Sequence, residues 1–290
     1  MCDFVLMTDS DTEIPYTFAE KYDIPVFLMP YTIDGEERLF DLGRETDFEG
    51  FYNRLREGAD AFTSTRPPED IADFYREILK TGKDILYLAF SSQLSSHVNH
   101  ATMAKEEVLK EFPERRIVIV DTLRIAMGAG ILVYYAAKMK EEGGTLDEIA
   151  EWTEKNKLRA NAWFSVDNLM FLKKGGRLSG TQAVMGTLMD IKPILTINTE
   201  GKIVNVDKVK GTKKVIRYLI DKIQNNVEDE AEQICVVQHA GVPDRGRELK
   251  EKIENSFHFR EVWLMDIGPV IGCHTGPGAL SVLFMGKVPK

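Results

Sequence analysis

The chain has 290 residues, 43% hydrophobic and 29% charged, with 46 acidic against 37 basic side chains and a net charge of −9. Such a composition belongs to a globular protein with one large or two ordinary domains. The acidic balance speaks against nucleic acid or an anionic membrane as a general partner, because phosphate contacts need clustered Lys and Arg.

In chain order, Phe4–Thr8 is a short apolar run ending in Asp9-Ser10. It reads as a buried strand leading into a loop, without the basic start of a signal peptide. Pro15 opens a helix through Lys21. Ile24–Met29 is a second strand, and Tyr31–Phe40 a hairpin turning at Asp34-Gly35. Asp47–Arg56 has helical spacing. Asp84–Phe90 is another buried strand, followed by Ser91-Ser92-Gln93-Leu94-Ser95-Ser96 and a helix from His97 to Phe112. Arg116–Val120 is a strand ending in Asp121-Thr122, and helices follow over Ala126–Glu142 and Thr145–Leu158. Strands separated by helices imply a largely parallel sheet with helices on both faces.

The pattern changes near residue 160. Ala162–Val166 reads as a strand, Asn168–Lys174 as a short helix, and Gly175-Gly176-Arg177-Leu178-Ser179-Gly180 as a loop. Ile191–Asn198 and Ile203–Val209 form a hairpin. Thr212–Asn226 is helical. Gln233–His239, a helix over Arg245–Asn255 and Glu261–Asp266 make a strand–helix–strand unit, and Ala279–Met285 is a final strand. The expected division is residues 1–160 as an N-terminal α/β domain and 161–290 as a C-terminal α/β domain. No stretch of 18 or more apolar residues occurs, so no membrane-spanning segment is expected. Cys2, Cys235 and Cys273 include no CxxC pair, which argues against a disulfide framework and fits a cytoplasmic setting.

Four loops gather hydroxyl and acidic residues at strand ends: Asp9-Ser10, Thr63-Ser64-Thr65, Ser91–Ser96 and Asp121-Thr122. Ligands of open α/β sheets sit beyond such ends, so these loops are expected to converge. Each hydroxyl taken singly has an ordinary explanation as a helix cap. One helix needs one cap, however, and four serines within six residues exceed that need. Arg177 in its glycine loop is a candidate donor to a carboxylate or phosphate, with a solvated turn as the alternative. His274, among Gly272, Gly276 and Gly278, is a second candidate donor. With only five histidines and no HExxH pair, no metal is expected, and His97 and His100 are read as surface residues. Lys208, Lys210, Lys213 and Lys214 form a basic cluster, a candidate docking patch or a solvated face. Neither a GxSxG elbow nor a P-loop is present.

Together these segments resemble the DegV family, bacterial fatty-acid-binding subunits of a fatty-acid kinase system. The resemblance rests on Thr8-Asp9-Ser10, Thr63-Ser64-Thr65-Arg66-Pro67-Pro68, Ser91–Ser96, Asp121-Thr122, Gly175–Ser179, Lys192-Pro193-Ile194-Leu195, Lys208–Lys214 and His274-Thr275-Gly276-Pro277-Gly278, in that order over nearly the whole length. It implies a two-domain α/β fold, with a largely parallel N-terminal sheet, a mixed C-terminal sheet and the ligand between them. It implies a long-chain fatty acid such as palmitate, stearate or oleate, with its carboxylate on Thr63 and Ser95 and its chain in an apolar tunnel. Ser64, Ser96 and Thr275 adjoin that site, and Arg177 and His274 form a polar network behind it. Lys208, Lys210 and Lys213 would face a dihydroxyacetone-kinase-like partner that makes the acyl phosphate, leaving this chain without catalytic residues or cofactor. The alternative is a stand-alone phosphotransferase or hydrolase using Arg177 and His274. The wall is expected from Leu94, Met127, Phe164, Leu169, Met185, Leu188 and Ile271. Two departures are Arg66 in place of a family proline and Ser96 in place of a glycine. They bring a charge near the presumed site and an extra hydroxyl.

Overall fold

The computed structural model describes residues 4–178 and 190–289. The first half runs β1 (Phe4–Asp9), α1 (Tyr16–Lys21), β2 (Val26–Phe27), β3 (Pro30–Ile33), β4 (Glu36–Leu39), α2 (Phe48–Arg56), β5 (Ala61–Thr63), α3 (Pro68–Leu79), β6 (Asp84–Ala89), α4 (His97–Glu111), β7 (Ile117–Asp121), α5 (Met127–Glu141) and α6 (Leu146–Asn156). The second half runs β8 (Ala160–Ser165), α7 (Met170–Lys174), β9 (Ile191–Ile197), β10 (Ile203–Lys210), α8 (Thr212–Asn226), β11 (Ile234–His239), α9 (Pro243–Ser256), β12 (Glu261–Asp266), α10 (Pro269–Thr275) and β13 (Leu280–Met285).

A parallel sheet has the order β2-β1-β6-β7, and a mixed sheet the order β10-β9-β8-β13-β11-β12. A small antiparallel sheet, β4-β3-β5, lies in the first half. The expected α/β class, with a parallel first sheet and a mixed second one, is what forms.

One helix explains how the sheets are held together. Along α5, Met127 through Tyr134 is buried without interruption, as are Ala136 and Ala137. A helix that is apolar all round must be covered all round. Accordingly α5 packs on β1 and β6 from one side and on β8 and β13 from the other. The mixed sheet is then buried on both faces. Along β13, Leu283 and Met285 join the core shared with the first half, whereas Leu280, Val282 and Phe284 join a second core under α8 and α9. A strand covered on both sides reads as a continuous apolar run, as Leu280–Met285 does.

Three differences from the pattern reading have local causes. Of Ile24–Met29 only Val26 and Phe27 pair as a strand; Pro25 brings no N–H, and the Met29 N–H donates instead to Ser10 Oγ at 2.9 Å. The helix Pro68–Leu79 lies where the pattern reading assigns no element. Its proline at the first turn, acidic Glu69 and Asp70, and buried Ile71, Tyr75 and Ile78 are all helix signals. The expectation that His97 lies on the surface is wrong: it is 2% exposed. As the first residue of α4 it turns inward and stacks on Phe27 with ring centroids 5.2 Å apart, and burial pushes its pKa down to about 3.

Candidate functional site

The cavity begins at the small sheet. Thr63 ends β5 and pairs with Tyr31 of β3. Behind them lies α10, which packs on β3, β5, α2 and α7 and carries His274 near its C-terminus. Thr63 Oγ1 and His274 Nε2 are 2.8 Å apart. Burial first, and the nearby Arg177 charge second, push the His274 pKa down to about 3. The imidazole is therefore neutral at physiological pH. Its other nitrogen, Nδ1, is buried and has no hydrogen-bond partner among the described residues. The Gly175 backbone closes against this ring: a Cβ there would lie 2.1 Å from Nδ1. The glycine of the Gly175-Gly176-Arg177 loop thus admits the histidine ring.

Arg177 crosses from the second half to the serine loop. Its Nε donates to the Leu94 carbonyl at 2.8 Å and its Nη1 to that of Gly175 at 2.5 Å. Burial lowers its pKa, while the carboxyl of Asp11 opposes that shift. Facing it, the Ser95 N–H donates to the Ser91 carbonyl, and Ser95 Oγ accepts from the His97 N–H at 3.2 Å. Ser96 is exposed, with its hydroxyl 3.4 Å from that of Thr65.

These residues line one cavity of about 170 Å³, formed by Thr63, Ser64, Thr65, Ser95, Ser96, Arg177, His274 and Thr275 at its polar side. Leu94, Phe90, Ile125 and Ile271 are among its apolar walls. An adjoining hollow of about 20 Å³ shares Ile125, Ile271 and Thr275 and continues between α5, α10 and the mixed sheet. Its further walls include Ala162, Phe164, Ile267 and Leu283. Of the expected wall residues, Leu94, Ile271 and Phe164 line these spaces. Met127 and Leu169 pack elsewhere in the core, and Met185, Leu188 and Ser179 lie outside the described residues.

At the other two strand ends, Asp9, Ser10, Asp121 and Thr122 brace the site without lining it. Asp9 accepts from Tyr87 Oη at 2.7 Å and from the Phe90 N–H at 3.0 Å. Asp121 accepts from the N–H groups of Ser92 and Leu123, and Thr122 donates to the Ala89 carbonyl. Arg66 does not line the cavity: its Nε donates to Asp70 at 2.9 Å and its guanidinium covers Phe27. The sequence reading missed Asp11, which lines the cavity, and Arg124, which is 1% exposed and donates to the carbonyls of Ile197 and Asn198. Asp11 directly follows Ser10 and Arg124 lies two residues after Thr122, both within three residues of a strand end, which is the signal that could have found them.

Lys208, Lys210, Lys213 and Lys214 are exposed at the end of β10 and the start of α8. Ile203, at the other end of β10, lines the cavity; at ~3.3 Å per residue the strand carries the lysines about 20 Å from that wall. Among the described residues no group of three or more His, Cys, Asp or Glu side chains is placed to hold a metal, and no helix is long and apolar enough to cross a membrane.

A family model described as "Uncharacterised protein, DegV family" matches residues 3–287. The chain belongs to the DegV family. It is 38% identical over 287 residues to a DegV domain-containing protein of Clostridium perfringens, covering 99% of each chain. Among solved structures, this DegV member is similar to a family protein of Thermus thermophilus described by its fatty acid binding, with a TM-score of 0.87, 29% identity and coverage of 98% and 100%. It is also similar to DegV of Bacillus subtilis, described as a fatty acid binding protein, with a TM-score of 0.85, 26% identity and coverage of 99% and 100%.

Proposed function

We propose that this chain binds a long-chain fatty acid and presents its carboxylate to a partner kinase. The observation that carries the reading is the Thr63–His274 pair at the polar side of a cavity whose other walls are apolar. A hydroxyl can accept one hydrogen bond while donating another. With Nε2–H of neutral His274 donating to Thr63 Oγ1, the Thr63 proton is directed to the ligand. Ser95 supplies a second hydroxyl, and Arg177, neutralising part of the charge from behind, offsets the cost of burying a carboxylate. The acyl chain then runs past Ile271 towards Phe164. Burying roughly fifteen methylenes gives on the order of 12 kcal/mol of gross drive at ~0.8 kcal/mol each, much of it spent on ordering the chain. The second hollow barely holds one water-sized group, so the side chains of Phe164, Ile271 and Leu283 must part to admit it.

In this reading the chain carries no catalytic residue, and the phosphoryl transfer belongs to the partner. Lys213 and Lys214 support a docking role, since cations at a helix N-terminus oppose the macrodipole and do not stabilise α8. On the same reading, residues 1–160 are an N-terminal α/β domain and 161–290 a C-terminal one. The test is uptake of labelled palmitate or oleate by the purified protein, followed by acyl phosphate formation on adding a dihydroxyacetone-kinase-like subunit and ATP. Saturable uptake with turnover only in the presence of both proteins is expected. Absence of uptake, or turnover by this chain alone, contradicts the reading.

A further inference from the structure

Among the described residues, Asp11 is the one carboxyl in the cavity wall. It sits on the single turn Ser10–Thr12 that follows β1, is 4% exposed, and lines the same space as Thr63, Ser95, Arg177 and His274. Its Oδ1 is buried without a hydrogen-bond partner among the described residues. The neighbouring acids differ. Asp9 is held by Tyr87 and the Phe90 N–H, and Glu13 by the Gly268 N–H at 2.6 Å and Gln238 Nε2 at 2.5 Å. A buried polar atom left unpaired costs about 1–3 kcal/mol. A plain acyl chain leaves that cost in place, whereas a ligand oxygen beside Asp11 removes it.

We propose that Asp11 is a specificity residue that selects fatty acids bearing a hydroxyl on one of the carbons nearest the carboxylate. The position follows from the cavity: Asp11 lines the polar compartment and is not among the residues of the apolar hollow, so the oxygen belongs near the head group and not at the tail. The choice of a neutral hydroxyl over a cationic group follows from the surroundings. Burial first, then the charges of Asp9 and Glu13, raise the Asp11 pKa well above the usual carboxylate value, with Arg177 opposing. A protonated carboxyl both donates to and accepts from a hydroxyl.

The inference rests on the fatty-acid reading, and the experiment separates the two. Dissociation constants for palmitate and 3-hydroxypalmitate are measured on the wild-type chain and on Asp11→Leu and Asp11→Asn. The wild-type chain should bind the hydroxylated acid about tenfold more tightly, the equivalent of one hydrogen bond. Asp11→Leu should abolish that ratio by weakening 3-hydroxypalmitate and tightening palmitate, and Asp11→Asn should keep a reduced preference. Palmitate bound as tightly as its hydroxylated form by the wild-type chain overturns the inference and leaves the fatty-acid reading standing, whether or not the leucine variant folds. A preference that survives in Asp11→Leu also overturns it. Uptake of neither acid by the wild-type chain overturns both.

Discussion

The strand-end loops of the first half come in two kinds that composition does not separate. Thr63–Thr65 and Ser95-Ser96 line the cavity and are half-buried or exposed. Asp9-Ser10 and Thr122 are fully buried and spend their polar atoms on the backbone and on Tyr87, with Asp121 braced beside them. The same residue types therefore serve as a cavity-facing surface in one pair of loops and as its support in the other. Partner geometry makes the difference: the buried loops answer donors and acceptors of neighbouring strand ends, whereas the half-exposed ones line the cavity, where the hydroxyls of Thr63 and Ser95 bond His274 and the His97 N–H and each keeps further hydrogen-bonding capacity.

The largest effect should come from the supporting pair. Asp9→Ala strands Tyr87 Oη and the Phe90 N–H in the core, and should lower unfolding stability by about 2–4 kcal/mol in urea denaturation. A loss below about 1 kcal/mol would break the contrast.

Glu13, on the same turn, adds a pH signature. Its pKa rises to about 8, from burial against the donors Gly268 and Gln238. A carboxyl whose folded pKa is raised holds its proton more tightly in the folded state. Its contribution is complete below the unfolded value near 4.5 and is lost as pH rises to about 8, with a slope of up to ~1.4 kcal/mol per pH unit. Asp9 and Asp11 titrate in the same sense, so the informative quantity is the difference between the wild-type chain and Glu13→Gln. The variant should lose less stability between pH 5 and 8, and equal slopes would remove Glu13 from the account.

The cavity-facing pair should behave oppositely. Thr63→Val should weaken fatty-acid binding about tenfold, some 1.4 kcal/mol, and Ser95→Ala severalfold, both with stability changed by less than about 1 kcal/mol. Isothermal titration and denaturation on the same variants check both halves of that statement. Smallest of all, Lys208→Glu with Lys210→Glu should leave fatty-acid affinity within about twofold, because a site about 20 Å away lies beyond the ~8 Å screening length of physiological salt, while kinase-dependent acyl phosphate formation falls.

Much of this was legible in the sequence, for reasons that differ by region. β6, β13 and the hairpin β9–β10 announce themselves as apolar runs or by a turn. α5 was legible as a helix but not as the layer between two sheets, since that role depends on what covers it. α10 is too short and too apolar for periodicity to show, so His274 reads as a loop residue although a helix positions it. Thr63 and Ser95 came from a resemblance in motif order. Their partners, Arg177 on the Leu94 carbonyl and Gly175 against the His274 ring, are long-range contacts with no local pattern. Asp11 and Arg124 stayed hidden because a charged residue after a strand is read as solvated, whereas both are buried between the halves.

The most direct test of the central claim is a crystal structure of the protein with palmitate or its hydroxylated form bound. The account predicts carboxylate oxygens within about 3.2 Å of Thr63 Oγ1, with the chain running past Ile271 towards Phe164. A fatty acid bound elsewhere, or in this cavity with its carboxylate directed towards Phe164, would contradict it.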